Sequence, residues 1–339
     1  MKTVPQRLAD LRAAMEKSGC HAYLMPSSDP HASEYAPAHY TAWEYFSGFS
    51  CENANLVVTL QEAALWVDGR FFGAADAALA GTGVASMHMG VKGVPTLSEY
   101  LTEKLQPGQV LGYTAEVMPL SQLRRLEALA KKVGFVLAPL PLVDEAWTED
   151  RPALPATPVW LLDTRYAGLS PAEKLTKLRE ALVQLEADAM VVTRLDSVAW
   201  LLNLRAEDID HTPYALAFAY VDMDKAVLFT DCSRVPQEAR DALAQAGVSL
   251  EDYQALPGYI GEISQPRTVL FEPGSLNAAL YNALRENPAC TLLEKADPIS
   301  MMKAVKNETQ IAATRHAHLS DRAAMVRFQM ELEKPLSNG

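Results

Sequence analysis

The chain has 339 residues, 49% hydrophobic and 21% charged, with a formal net charge of -12 and four cysteines. That length suits about two globular domains, each with a sizeable core, and the acidic balance, with no Lys/Arg run beyond two residues, argues against a nucleic-acid-binding face. Cys20, Cys51, Cys232 and Cys290 are too scattered for a disulfide framework or a C-x-x-C site; with no apolar signal core at the N-terminus and no 18-residue apolar run to span a membrane, a cytoplasmic protein with reduced thiols is expected.

Thr3-Val4-Pro5-Gln6 reads as a helix start, because Thr and Gln three residues apart can satisfy each other's free backbone N–H groups. Leu8, Leu11 and Met15 follow at helical spacing, and Gly19 suits the stop. Residues 21–25 read as a buried strand closed by Pro26-Ser27-Ser28-Asp29-Pro30. Residues 43–49 read as an aromatic turn. Two short apolar runs, 56–59 and 63–67, are parted by Gln61-Glu62 and predict a β-hairpin; its exit, Asp68-Gly69-Arg70, leads into a helix from Phe71. Asp68 and Arg70 at that strand end either form a local ion pair or face a ligand or partner chain. The aromatic cluster Tyr35, Tyr40, Trp43, Tyr45, Phe46 and Phe49 either packs as core or lines a pocket. Helices are expected over 97–105 and 120–133, and strands over 110–113 and 135–137.

A proline-rich, extended stretch at 151–158 reads as a semi-rigid linker. Beyond it the pattern starts again. Ser170-Pro171-Ala172-Glu173 is a capping box, and Leu175, Leu178 and Leu182 sit at the same offsets from Ser170 as Leu8, Leu11 and Met15 do from Thr3. The run 188–192 matches the strand 21–25, and Asp196 matches Asp29, all 167 positions apart. Trp200-Leu201-Leu202-Asn203 echoes Trp43-Glu44-Tyr45-Phe46, and 226–231 echoes 63–68. Helices at 236–246 and 277–286 and strands at 268–271 and 291–293 complete the second half. The expectation is a duplicated α/β domain, each copy a mixed sheet flanked by helices. From Glu308 to Lys334 nothing breaks a helix, and its apolar positions form two adjoining stripes: Leu319, Ala323, Val326 and Met330, then Ile311, Met325, Phe328 and Leu332. A stripe that wide calls for cover, with a second copy of the chain as the expected neighbour.

No catalytic spacing of a familiar kind is present: no G-x-S-x-G, H-E-x-x-H, P-loop or G-x-G-x-x-G. His316 and His318 point to different faces of one helix and read as surface histidines. The run 207–211, with Asp208, reads as a solvated acidic loop rather than a cation site. Ser27-Ser28-Asp29-Pro30-His31 reads as a turn with side-chain caps rather than a nucleophilic triad, whose members come from distant segments. Neither a catalytic residue nor a metal ligand is therefore assigned within the chain.

As a set, several motifs resemble the N-terminal part of the three-domain Xaa-Pro aminopeptidases (aminopeptidase P, M24 metallopeptidase family), relatives of creatinase and prolidase. They are Asp29-Pro30-His31-x-Ser33-Glu34-Tyr35, Ser47-Gly48-Phe49, Leu65-Trp66-Val67-Asp68-Gly69-Arg70-Phe71-Phe72, Asp144-Glu145-x-Trp147, Asp150-Arg151-Pro152-x-Leu154-Pro155 and Tyr166-Ala167-Gly168. Trp200-Leu201-Leu202-Asn203-Leu204-Arg205-x-x-Asp208-Ile209, Lys303-Ala304-Val305-Lys306-Asn307 and Arg315-x-Ala317-His318 continue the set. The resemblance implies two creatinase-like domains, 1–157 and 158–306, with 307–339 as the first helix of a "pita-bread" peptidase domain. It also implies that two divalent metals, usually manganese, and the catalytic groups belong to that third domain, after Gly339, and that the parent enzyme removes an N-terminal residue preceding proline. Such an enzyme is expected as a homodimer in which the first domain reaches the partner's active site, with Arg70, Asp68, Trp43 and Phe49 as contact candidates. The stretch Cys51-Glu52-Asn53-Ala54-Asn55 departs from the family's Gly-Ser-Ala-Gly-Thr-like pattern. A stand-alone creatinase-like scaffold, and an enzyme using Asp29, His31 or Asp208, are the alternative readings.

Overall fold

The computed structural model describes residues 2–337, with side chains as far as Glu333. Helix Val4–Ser18 starts where its cap directs: the Thr3 N–H donates to Gln6 Oε1 at 2.8 Å, and Leu8, Leu11 and Met15 are buried. Helix Pro171–Gln184 repeats the device. The Ser170 N–H donates to Glu173 Oε2 at 2.8 Å, and Leu175, Leu178 and Leu182 are buried.

The first half contains strands β1 (Ala22–Pro26), β2 (Asn55–Thr59), β3 (Ala63–Val67), β4 (Ala85–His88), β5 (Val110–Tyr113) and β6 (Val136–Pro139). The second contains β7 (Trp160–Leu161), β8 (Ala189–Val192), β9 (Leu204–Arg205), β10 (Phe218–Asp222), β11 (Ala226–Phe229), β12 (Val248–Glu251), β13 (Arg267–Phe271) and β14 (Cys290–Glu294). The first sheet runs β4-β3-β2-β1-β5-β6 and the second β12-β11-β10-β8-β13-β14, while β7 and β9 form a separate two-stranded ribbon. In each large sheet the three middle strands pair antiparallel and the flanking strands parallel. The halves thus share one topology, as the repeat in the sequence predicts, and the β2–β3 hairpin forms with Leu56 opposite Leu65.

Two readings change. The aromatic stretch is not a turn: Ala42–Ser47 is a helix, closed by Gly48 at φ 77. Its counterpart, helix Leu195–Leu201, is followed by Asn203 at φ 55. Matching these left-handed residues places Trp200 opposite Tyr45 rather than Trp43. Ala22 and Ala189 lie 167 positions apart but Gly48 and Asn203 only 155 apart. The difference is a longer loop after β1, so Asp29 lies in that loop while its sequence match Asp196 begins a helix. Strands β4, β10 and β12 also escape the sequence reading. The first and last are sheet edges, short and largely unburied, and β10 lies inside an apolar run longer than itself.

Each β1-type strand is buried on both faces, and alternate residues serve different cores. Tyr23 and Met25 pack with helices Val4–Ser18 and Ala42–Ser47, whereas Ala22 and Leu24 join a second cluster. Met190 and Val192 pack on helix Pro171–Gln184, whereas Ala189 and Val191 join that same second cluster. The shared cluster crosses from one domain to the other without a break. The two domains meet about a local pseudo-twofold: the Leu120 N–H donates to the Leu276 carbonyl (3.0 Å) and the Ala278 N–H to the Met118 carbonyl (2.8 Å). Glu127 and Arg285, on the paired helices Leu120–Val133 and Ala278–Glu286, close the rim at 2.9 Å.

Helix Glu308–Ser337 leaves this body. Asn307 ties its start, accepting from the Gln310 N–H and donating to the Ala167 carbonyl, both at 2.9 Å. Leu319, Met325, Val326, Phe328, Met330 and Leu332 are then 49% to 67% exposed.

Candidate functional site

The loop after β1 builds two concavities of the molecule. Asp29 Oδ1 accepts the His31 and Ser33 N–H groups, each at 2.9 Å, which folds the Ser27–His31 stretch into the capped turn expected of it. The next residues, Ser33, Glu34 and Tyr35, form the wall shared by two adjoining clefts. One, of about 290 Å³, lies between the domains, with Arg194, Asp196 and Ser275 opposite. The other, of about 470 Å³, is bounded by Trp43, Glu44, Cys51, Glu52 and Arg70, and by Asp210 of the second domain. The Tyr35 ring meets His211 of the second domain edge-on at 5.4 Å, between the two.

The four contact candidates separate here. Trp43 is buried, its Nε1–H donating to the Cys51 carbonyl at 3.0 Å, with part of the ring lining the larger cleft. Phe49 is half-buried and packs edge-on against Phe71 at 6.3 Å, outside the cleft lining. Asp68 and Arg70 form the local ion pair: Nη2 to Oδ2 is 2.8 Å and Nε to Oδ1 is 3.1 Å. The Arg70 guanidinium holds the Asp68 carboxyl down to about 2. Arg70 also reaches Glu52 at 3.1 Å, yet its side chain stays 60% exposed at the cleft mouth. The unusual 51–55 stretch is pinned to the β1 exit, with the Ala54 N–H donating to Ser27 Oγ (2.7 Å) and the Ser27 N–H to the Ala54 carbonyl (2.9 Å).

The acidic loop is not the solvated one expected. The Asp208 side chain is fully buried. It accepts from Arg234 Nη1, from the Leu216 N–H at 2.7 Å and from Thr157 Oγ1 at 2.6 Å. Arg234 in turn donates to the Leu216 carbonyl and Thr230 Oγ1, both at 3.0 Å. The loop's charge thus closes the linker onto the second domain, with neighbouring Glu207 and Asp210 exposed. His316 and His318 are exposed, as expected.

Two residues that sequence reasoning missed, Lys174 and Tyr253, do structural work, and His31 takes a partner the sequence did not show. Lys174 is 1% exposed; its Nζ donates to the Trp200 carbonyl (2.7 Å) and Asn203 Oδ1 (2.6 Å), 4.4 Å over the Trp200 ring. Burial pushes this ammonium down to about 8. His31 and Tyr253 meet across the domain boundary at 2.7 Å. Nothing in local pattern marks Lys174, which falls on an ordinary helical position; His31 stood in a motif but gave no sign of its partner.

Among the described residues, no three His, Cys, Asp or Glu side chains converge to hold a metal ion. The described side chains therefore do not fit a two-metal centre. The larger cleft is lined by Glu34, Glu44, Glu52 and Asp210, with the exposed Arg70 guanidinium at its mouth.

Comparison with known proteins agrees with the duplicated topology. Residues 7–143 and 150–310 each match the Creatinase/Prolidase N-terminal domain. The chain is 32% identical to Aminopeptidase P2 of Arabidopsis thaliana, over 98% of this chain and 51% of that protein. It is 33% identical to an Xaa-Pro aminopeptidase of Caenorhabditis elegans, over 94% of this chain and 52% of that protein. The crystal structure of X-prolyl aminopeptidase from C. elegans, a cytosolic enzyme with a dinuclear active site, superposes with a TM-score of 0.88 at 33% identity, over all of this chain and 57% of that one. The chain spans about half the length of the curated relatives it matches. With one strand order used twice and a domain profile matched to each half, the chain belongs to the creatinase/prolidase N-terminal domain family, which it carries in tandem.

Proposed function

We propose that this chain is the non-catalytic N-terminal region of a metal-dependent Xaa-Pro aminopeptidase, an enzyme that removes the N-terminal residue preceding proline. The observation that supports this is coverage: 98% of this chain matches about half of an aminopeptidase P, and all of it superposes on part of a solved X-prolyl aminopeptidase. In this reading the domains divide at 157/158 and at 306/307, and helix Glu308–Ser337 opens the peptidase domain. Two divalent metals, manganese by family resemblance, take their ligands from that domain. The parent works in the cytoplasm as a homodimer, its first domain helping to govern access to the active site. Arg70, oriented by Asp68 and flanked by the Trp43 and Phe49 region, is the contact for the peptide or the partner subunit.

The test is turnover. The purified chain, supplied with manganese and Xaa-Pro peptides, is expected to release no N-terminal residue above the blank. Robust release by residues 1–339 alone would overturn the reading, and would revive an activity of the clefts themselves.

A further inference from the structure

The loop after β1 does something that family membership does not account for: it drives a histidine of the first domain into the second. His31 is 3% exposed. Its ring stacks on Phe218 of β10 at 4.1 Å, and Phe218 stacks in turn on Tyr253 at 5.2 Å. The Nδ1 atom lies 2.8 Å from the Thr193 carbonyl, which can only accept, so Nδ1 carries the proton. Nε2 is then the bare nitrogen of a neutral ring, and it accepts from the Tyr253 hydroxyl at 2.7 Å. Tyr40 of the first domain lies beside that hydroxyl. Asn277 Nδ2 donates to the Pro30 carbonyl at 2.9 Å and holds the loop in its seat.

We propose that His31 is an acid-sensitive pin between the two domains, seated only as the neutral imidazole and withdrawn from the second domain on protonation. A proton on Nε2 turns an acceptor into a donor facing a hydroxyl that already donates, so the Tyr253 hydroxyl must turn away. It also places a full charge on a ring that is only 3% exposed, at the wall of the smaller cleft. The surrounding charges act in both directions. On the same loop, Asp29 favours the cation: its Oδ1 accepts two N–H groups, while its buried Oδ2 has no hydrogen-bond partner among the described residues. Glu34 is exposed and lines the smaller cleft together with His31. From the second domain, Arg194 opposes the charge, and Asp196 is taken up by Arg194 and Lys303. Glu116, before helix Leu120–Val133, acts on the two tyrosines rather than on the ring. The balance follows burial, which lowers the proton affinity of the seated ring below that of an ordinary imidazole. A ring withdrawn into water regains its ordinary value near 6.5. The open form therefore binds the extra proton below that pH, and the opening constant climbs by up to about tenfold per pH unit.

The pin does not rest on the peptidase reading, and its test needs no activity. Hydrogen exchange is followed by mass spectrometry on the whole chain at pH 7.0 and 5.5, corrected for intrinsic rates. Opening of segments 29–33, 193–197 and 253–257 is expected to rise roughly tenfold at the lower pH, with the β1 and β8 cores unchanged. His31→Gln, neutral at both values, is expected to lose that step. Tyr253→Phe keeps the stack on Phe218 but drops the hydroxyl, so it is expected to open more than wild type already at pH 7.0. Wild-type protection that ignores pH, or an undiminished step in His31→Gln, would sink the proposal. Should His31→Gln fail to fold, Tyr253→Phe decides alone: protection equal to wild type at pH 7.0 overturns the pin.

Discussion

Among single residues, Lys174 sets the hardest physical problem, because an ammonium without a carboxylate partner is seldom tolerated in a core. Two oxygen acceptors and the Trp200 face offset part of the cost, and the Trp200 carbonyl lies at the end of helix Leu195–Leu201, where the dipole favours a cation. The remaining cost appears as a proton affinity depressed from 10.5 to about 8. Between those values the unfolded chain holds a proton that the folded chain has released, so stability rises as pH climbs from about 8 toward 10.5. Lys174→Met should remove that rise, which is on the order of 2–3 kcal/mol by linkage. Urea unfolding of both proteins at pH 7.5 and 10 measures the difference, and parallel pH profiles would refute the assignment. Asp208 and Arg234 are the opposite case: a buried pair of opposite charges, so that removing either strands the other.

Among elements, helix Ala42–Ser47 is held by its ends more than by its length. Six residues cannot sustain a helix in water. Its C-terminal Gly48 has φ +77, and a Cβ there would sit 2.7 Å from Val4 Cγ2 of the first helix. Both facts demand glycine: one for backbone freedom, the other for space. Gly48→Ala is expected to cost about 1–3 kcal/mol and to show as a lower urea midpoint with unchanged slope; a neutral result would mean that the cap and the first helix move apart freely. Within the Ser-Gly-Phe motif, Gly48 thus serves packing. The Asp-Gly-Arg motif differs, since its ion pair leaves a guanidinium facing solvent at a cleft.

At the scale of the molecule, the two domains behave as a built-in dimer. Equivalent backbone segments, 118–120 and 276–278, pair reciprocally, and a continuous apolar cluster runs beneath them. The exposed row on helix Glu308–Ser337 is the counterpart left without cover by the described residues. If a second copy supplies that cover, sedimentation should show concentration-dependent self-association, and Phe328→Glu should shift it at least tenfold toward the monomer. A monomer at every concentration, with wild type and Phe328→Glu alike, would exclude the second copy as the neighbour.

The amino-acid pattern by itself determined the repeat, the hairpin, the capped helix starts and the unbroken final helix, because each depends on residues within a few positions of one another. Capping boxes, turn residues and hydrophobic periods are local, and their spacing survives in both halves. Only the tertiary structure decided which polar groups are buried and against what. Asp208 found Arg234, Lys174 found Asn203 and His31 found Tyr253 across separations of 26, 29 and 222 residues. Such pairings follow from how the domains pack: desolvation acts on groups brought together by the whole fold, and no window along the chain contains that information.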